Sequence, residues 1–206
     1  NHVATGDLFR ERDRIYYSAA NKFDCFPRTT HYIDVVRGDA EEYTALVGYA
    51  DRLLAFKTNT LYIINVAAQD PREWFLESQH KGMGVKKPCQ TVNTEDGVMW
   101  ANGRGAYVYT GGDVRTTTTE DVTIGADINN IAKGKISSTD WIVDTGFIGV
   151  SYIERKRQFL VIENLNFGGD KNFVYDFDSK TWTGSDVNSS TFEPLAGEIS
   201  NFITDG

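Results

Sequence analysis

Hydrophobic and polar positions follow one another in short runs along this chain. The densest stretch, Tyr43–Val66 (YTALVGYADRLLAFKTNTLYIINV), predicts three strands in succession. Tyr43–Tyr49 is the first, broken by the polar pair Asp51-Arg52. Leu53–Lys57 is the second, and Leu61–Val66 the third. Between the last two, Thr58-Asn59-Thr60 reads as a turn, with Asn59 the residue best suited to a left-handed conformation. β-Branched and aromatic residues dominate and no helical period survives. Leu61-Tyr62-Ile63-Ile64 is apolar on both faces, which predicts a sheet covered on both sides.

Further strands follow from the same reading. Arg14–Ser18 and Tyr32–Val36 are extended, separated by the turn-rich Ala19–Arg28 with Pro27 as a stop. Residues 1–12 read as a connection, Glu73–Ser78 as an outer strand and Gln79–Pro88 as a Gly- and Lys-rich loop. Val98–Ala101 and Ala106–Thr110 flank Asn102-Gly103, a strong hairpin signal. Ala126–Lys133 fits one short helix ended by Gly134. Phe147–Ile153 and Gln158–Leu165 form a hairpin around the charged turn Glu154–Arg157. Asn172–Asp176 and Thr181–Thr183 form another, and Glu198–Ile203 opens a further unit.

Leu53, Val98 and Phe147 each open a strand that leads into a hairpin, spaced roughly 45–50 residues apart, the period of four-stranded propeller blades. The predicted fold class is therefore all-β, with β-propeller-type blades of four-stranded antiparallel sheets in an incomplete or partial propeller. Residues 1–206 read as a single propeller-like domain or a fragment of a larger one. Blade-like units lie near 43–78, 89–113 and 141–183, with another starting near 198. A β-sandwich of regular hairpins is the alternative. Gly168-Gly169, Tyr175 and Trp182 resemble one Kelch-type blade, in which Tyr and Trp pack between blades.

Composition adds limits. The 206 residues carry a net charge of −8, which argues against a protein that grips nucleic acid by its phosphates. Cys25 and Cys89 form no CxxC and do not support a disulfide scaffold. No apolar run reaches the length of a membrane span.

Candidate chemistry is sparse. Thr94–Trp100 (TEDGVMW) is one residue short of a sialidase Asp-box, and Glu95-Asp96-Gly97 reads as a β-turn. Glu41, Glu42, Glu95, Asp96, Glu120, Asp121, Asp176 and Asp178 offer no evident pair facing across a glycosidic bond. Asp176 and Asp178 lack the further ligands of a calcium loop. His2, His31 and His80 are scattered without zinc spacing, and no phosphate-binding glycine loop occurs. Lys81, Lys86, Lys87 and Arg155–Arg157 fit solvated turns or a polar subunit contact. No catalytic, cofactor-binding or metal-binding residue is assigned, and the chain reads as a non-enzyme without cofactor.

Two stretches carry a family resemblance. In the first the residues are Ile15–Ser18, Asp24, Phe26, Pro27, Ile33–Val35, Thr44–Val47, Asp51–Lys57, Asn59 and Leu61–Ile64. In the second they are Asp96–Val98, Trp100, Gly105, Tyr107, Tyr109, Gly111 and Gly112. Together they resemble the β-propeller of tail structural proteins of tailed bacteriophages, of the tail nozzle or tail tubular protein B type. The resemblance implies a virion structural protein of the phage tail. It would assemble as a ring of its own copies, sixfold, around the DNA ejection conduit. Its partners would be an adaptor, tail fibres and double-stranded DNA passing without sequence-specific binding. A glycan-binding surface propeller and a propeller glycoside hydrolase are the alternatives. Loops 79–88, 111–121 and 184–191 are the expected contact surfaces, because function sits on loops carried by a rigid scaffold.

Overall fold

The structure, a computed structural model, describes residues 13–111, 128–131, 136, 141–142, 147–164 and 171–186. Expectations for residues 1–12, for Gly168-Gly169 and for Glu198–Ile203 lie outside the described residues.

The chain is all-β, and the described strands fall into one two-stranded and three four-stranded antiparallel sheets. Strands β1 (Arg14–Tyr16) and β2 (Tyr32–Asp34) form a short ribbon. The first blade is a meander of β3 (Tyr43–Tyr49), β4 (Arg52–Lys57), β5 (Thr60–Asn65) and β6 (Phe75–Lys81). The second is β7 (Thr91–Thr94), β8 (Gly97–Asn102), β9 (Gly105–Tyr109) and β10 (Ile128–Asn130). The third is β11 (Phe147–Ile153), β12 (Gln158–Asn164), β13 (Lys171–Asp176) and β14 (Thr181–Asp186). The first strands β3, β7 and β11 lie side by side. These are propeller-type blades in an incomplete arrangement, and the described strands close no barrel.

The two-residue period of a strand explains the stacking. In β4 and β5, Leu54, Phe56, Leu61 and Ile63 turn toward the second blade, where they meet Val98, Trp100, Tyr107 and Tyr109. The alternate residues Leu53, Ala55, Tyr62 and Ile64 turn the other way, onto Ile15 and Ile33 of the ribbon. The second blade repeats the logic. Met99, Ala101, Ala106 and Val108 face the third blade, packing with Ile148, Val150, Tyr152, Phe159, Val161, Phe173 and Tyr175. The doubly apolar strand 61–64 is thus covered on both faces, by a neighbouring blade on one side and by the ribbon on the other.

Several local expectations change. The helix over 126–133 does not form: Ile128–Asn130 is a strand, in register with Tyr109–Tyr107. The unpaired edge of β9 offers backbone partners that a short, weakly periodic helix cannot match. It also carries the second blade past residue 113. The first blade runs on to Lys81, and the third begins its sheet at Phe147, with Trp141 and Ile142 packed against it. Phe147 opens the first strand of its blade, whereas Leu53 and Val98 lie in second strands, so the equivalent of those two is in β12. Asn59 is not left-handed; the positive φ of the β3–β4 turn belongs to Ala50. The Asn102-Gly103 hairpin forms without positive φ at either residue. Gly105 takes it instead, and the Asn102 carboxamide donates to the Gly82 and Gly84 carbonyls.

Candidate functional site

Chemistry-bearing side chains gather at the seams between layers. The first seam lies under the ribbon. Lys57 ends β4 with a fully buried side chain, because the chain between the ribbon and β3 passes over it. Its Nζ donates to Asp13 Oδ1 and to Asp39 Oδ1, both at 2.8 Å. The Tyr62 hydroxyl donates to Asp39 Oδ2 at 3.0 Å, and the Gly38 amide to Asp13 Oδ2 at 2.9 Å. The ammonium also sits 4.9 Å from the Tyr43 ring centroid, within cation–π range. Burial alone would pull the Lys57 pKa down, but the Asp13 and Asp39 carboxylates outweigh it and hold it above the ordinary value. Asp13 is held low by the Gly38 amide and then by Lys57. Burial, with the bond to Asp39, pushes the Tyr62 phenol up to about 12. An ammonium held charged is no nucleophile, so this group acts as a clamp that fastens the preceding chain to the first blade.

The second seam joins the second and third blades. Asp96, in the β7–β8 turn, accepts from the Tyr152 hydroxyl at 2.5 Å and from Arg157 Nη2 at 2.9 Å. Arg157 also reaches Asp178 Oδ1 at 2.9 Å, spanning to the β13–β14 turn. The Tyr152 bond, then Arg157, holds the Asp96 carboxyl below its ordinary value; burial and that bond push the Tyr152 phenol up to about 12. The Asp-box-like stretch is thus an inter-blade tether. Its glycine is required by geometry: Gly97 has φ +134°, and a Cβ there would stand 2.2 Å from the Tyr109 carbonyl oxygen.

Aromatic residues fill the same seams. Trp100 stacks on Tyr107 at 5.3 Å and meets Phe56 edge-on at 5.4 Å. The Trp182 indole donates to the Ile131 carbonyl at 2.7 Å, and Trp141 to that of Asn102 at 2.8 Å. Tyr175 lies directly across from Trp182 on the neighbouring strand, the inter-blade Tyr–Trp placement of the Kelch-type reading. Trp74 donates to the Ala68 carbonyl.

The other candidate residues disperse. Glu41 accepts from the Asn59 amide, and Asp176 caps its own turn through the amides of Asp178 and Ser179. Glu95 is exposed on part of its turn, while Glu120 and Asp121 lie outside the described residues. His31 contacts the Thr30 hydroxyl. His80 sits 2.9 Å from the Ser78 hydroxyl, and burial lowers its pKa. Cys25 is exposed; Cys89 is half-buried, its thiol pushed up by burial. Among the described residues no group of three or more His, Cys, Asp or Glu could hold a metal ion. No described helix is long and apolar enough to cross a membrane, which leaves β-barrels aside.

The expected contact loops are only partly surface. Residues 79–81 belong to β6, where Gln79 and Lys81 are exposed; Met83 and Val85 are core, with Gly84 pressed against the 57–60 backbone, and exposure resumes at 86–88. Residues 112–121 and 187–191 lie outside the described residues, and 184–186 belong to β14. The innermost strands β3, β7 and β11 contain no Asp, Glu, Lys, Arg or His, so the inner edge of the blade stack is neutral.

Sequence reasoning found Asp96 but missed its partners, and it missed Lys57 altogether. A Lys at the end of an apolar strand is an ordinary solvated residue unless chain from elsewhere covers it. Compared with known protein families and with curated proteins, the chain matches none.

Proposed function

We propose that this protein is a non-enzymatic structural subunit of a bacteriophage tail, of the nozzle or tube type. Copies would assemble into a ring, sixfold by the family resemblance, that forms part of the DNA ejection conduit in the virion. The observation that carries the reading is where the family-like residues fall. Ile15–Ser18 and Ile33–Val35 build the ribbon, Thr44–Ile64 builds the first blade, and Asp96–Gly111 builds the hairpin of the second. The two stretches that resemble the phage propeller fold into one continuous unit with shared cores.

The physical character fits a mechanical role. Ionic and aromatic groups are spent on tying layers together, through Lys57 under the ribbon and Asp96–Tyr152–Arg157 between blades. A net charge of −8 repels phosphates and would let duplex DNA pass without being held by a salt-dependent grip. Adaptor and tail-fibre proteins are the partners this role requires.

Gold-labelled antibody against the chain, applied to purified phage particles, tests the placement. Label on the tail is the expected result; label on capsids alone, or none, contradicts it. The glycan-binding alternative draws no support from the four tryptophans, since Trp100 and Trp141 are buried and the indoles of Trp74 and Trp182 are tied to backbone carbonyls.

A further inference from the structure

Each blade has a central pair of strands with two faces that look along the stack. In the first blade the face turned to the second carries Leu54 and Phe56 on β4 and Leu61 and Ile63 on β5. In the second blade the matching face, turned to the third, carries Met99, Ala101, Ala106 and Val108. Each of these side chains is between 0% and 6% exposed. In the third blade Phe159, Val161, Phe173 and Tyr175 look back at the second. The two-residue period turns Leu160, Ile162, Asn172 and Val174 the other way, so they are the matching set.

Strand register makes these residues one surface. Leu160 stands opposite Val174, Ile162 opposite Asn172, and Val174 opposite Thr183. Unlike their counterparts in the first two blades, Leu160, Ile162 and Val174 are partly open to solvent, and Thr183 is exposed. The Asn172 carboxamide oxygen is buried on this face without a hydrogen-bond partner among the described residues, an acceptor suited to a donor from a covering layer. Stacked repeats bury a face of this kind against the next repeat.

Chain order indicates the occupant. The face of the first blade is covered by the blade that follows it in sequence, and so is that of the second. The covering blade opens with its innermost strand, β7 or β11, after a connection over 82–90 or 131–146. Past β14 the chain continues through 187–197 to Glu198–Ile203 (EISNFI). Ile199–Ile203 shares with β3, β7 and β11 the lack of any Asp, Glu, Lys, Arg or His. In an extended chain Ile199 and Ile203 fall on one face. We propose that Ile199 and Ile203 seat on the Leu160–Ile162–Val174 face, with 198–203 running beside β11 as β11 runs beside β7. The inference rests on the order of the blades and stands apart from the conduit reading.

Photocrosslinking tests it. p-Benzoylphenylalanine replaces Leu160, or separately Ile162, and far-UV circular dichroism checks that each variant folds. Mixtures of isotope-labelled and unlabelled chain are irradiated and digested, and mass spectrometry separates links within one copy from links between copies. Hydroxyl-radical footprinting of the chain without benzoylphenylalanine reads the same face, with exposed Leu46 as the reference. The expected adducts join the label to 198–203 of the same copy. Oxidation of Leu160 and Ile162 is expected to rise at least about twofold in I199S/I203S, which gives up the apolar area that seats the segment. Adducts only between copies overturn the proposal and make this face a contact between copies. Adducts confined to residues outside 187–206, no adduct at all, or oxidation unchanged in I199S/I203S overturn it as well.

Discussion

Tyr152, on the first strand of the third blade, donates its hydroxyl to Asp96 Oδ2 at 2.5 Å, across the boundary with the second blade. Arg157 reaches the same carboxylate from the end of the β11–β12 turn, where its backbone is left-handed (φ 47°). One carboxylate therefore fixes how two blades sit together. Replacing Asp96 with Asn keeps the shape and removes the charge. The expected loss is about 1–2 kcal/mol at pH 7, the scale of hydrogen bonds to a charged group at a partly exposed site. Urea unfolding measures it.

Acid should weaken the fold. Asp96, Asp34 and Asp13 all have pKa values held below the ordinary carboxylate value, by Tyr152, by Arg14 and by the Gly38 amide respectively. A depressed folded-state pKa gives stability that is present above the unfolded value, about 4, and lost as pH falls through the folded value. Unfolding free energy is expected to begin easing as pH falls below about 6.5, where buried His80 resists protonation, and to decline more steeply below about pH 4 as the carboxylates protonate. D96N should show a shallower decline. Denaturant midpoints across this range check both statements.

The Lys57 clamp gives the opposite pH sign. Its folded pKa is raised, so its contribution is complete below the unfolded value, near 10.5, and is lost only as pH rises through the folded value. At neutral pH, Lys57→Met leaves Asp13 and Asp39 facing an apolar chain. The expected cost is about 3 kcal/mol, the low end for breaking a buried pair, because both carboxylates retain some solvent contact. Limited proteolysis distinguishes detachment of the ribbon, with cleavage first in 17–40, from global unfolding.

Gly84 sits where a Cβ would stand 2.2 Å from the Lys57 carbonyl oxygen and 2.5 Å from the Thr60 amide nitrogen. Those are backbone atoms of paired strands and cannot swing aside. Gly84→Ala is expected to cost about 1–3 kcal/mol or more in thermal or denaturant unfolding. Gly48→Ala, at a position open on all sides, should fall within about 0.5 kcal/mol of the parent.

The blades were legible because their signal is local. Alternation in Leu53–Lys57 and Leu61–Val66, and the turn between Ala101 and Ala106, place strands without knowledge of their neighbours. The strand at Ile128–Asn130 was not legible, since its conformation is supplied by the waiting edge of β9 rather than by its own pattern. The clamps were hidden for a related reason. Asp13 lies 44 residues before Lys57 and Asp39 18 before it, and Asp96 lies 61 before Arg157, distances that only the folded layers close. Met83 and Val85 looked like loop because glycines surround them, yet those glycines let the backbone press close enough to bury both side chains.

The most direct measurement is the mass and rotational symmetry of the intact gene product, by mass photometry and electron-microscopy class averages, with assembled tails included. The account predicts a closed ring of copies around a central channel, sixfold by the family resemblance. Particles that stay single, both alone and in the presence of the other tail proteins, would contradict it.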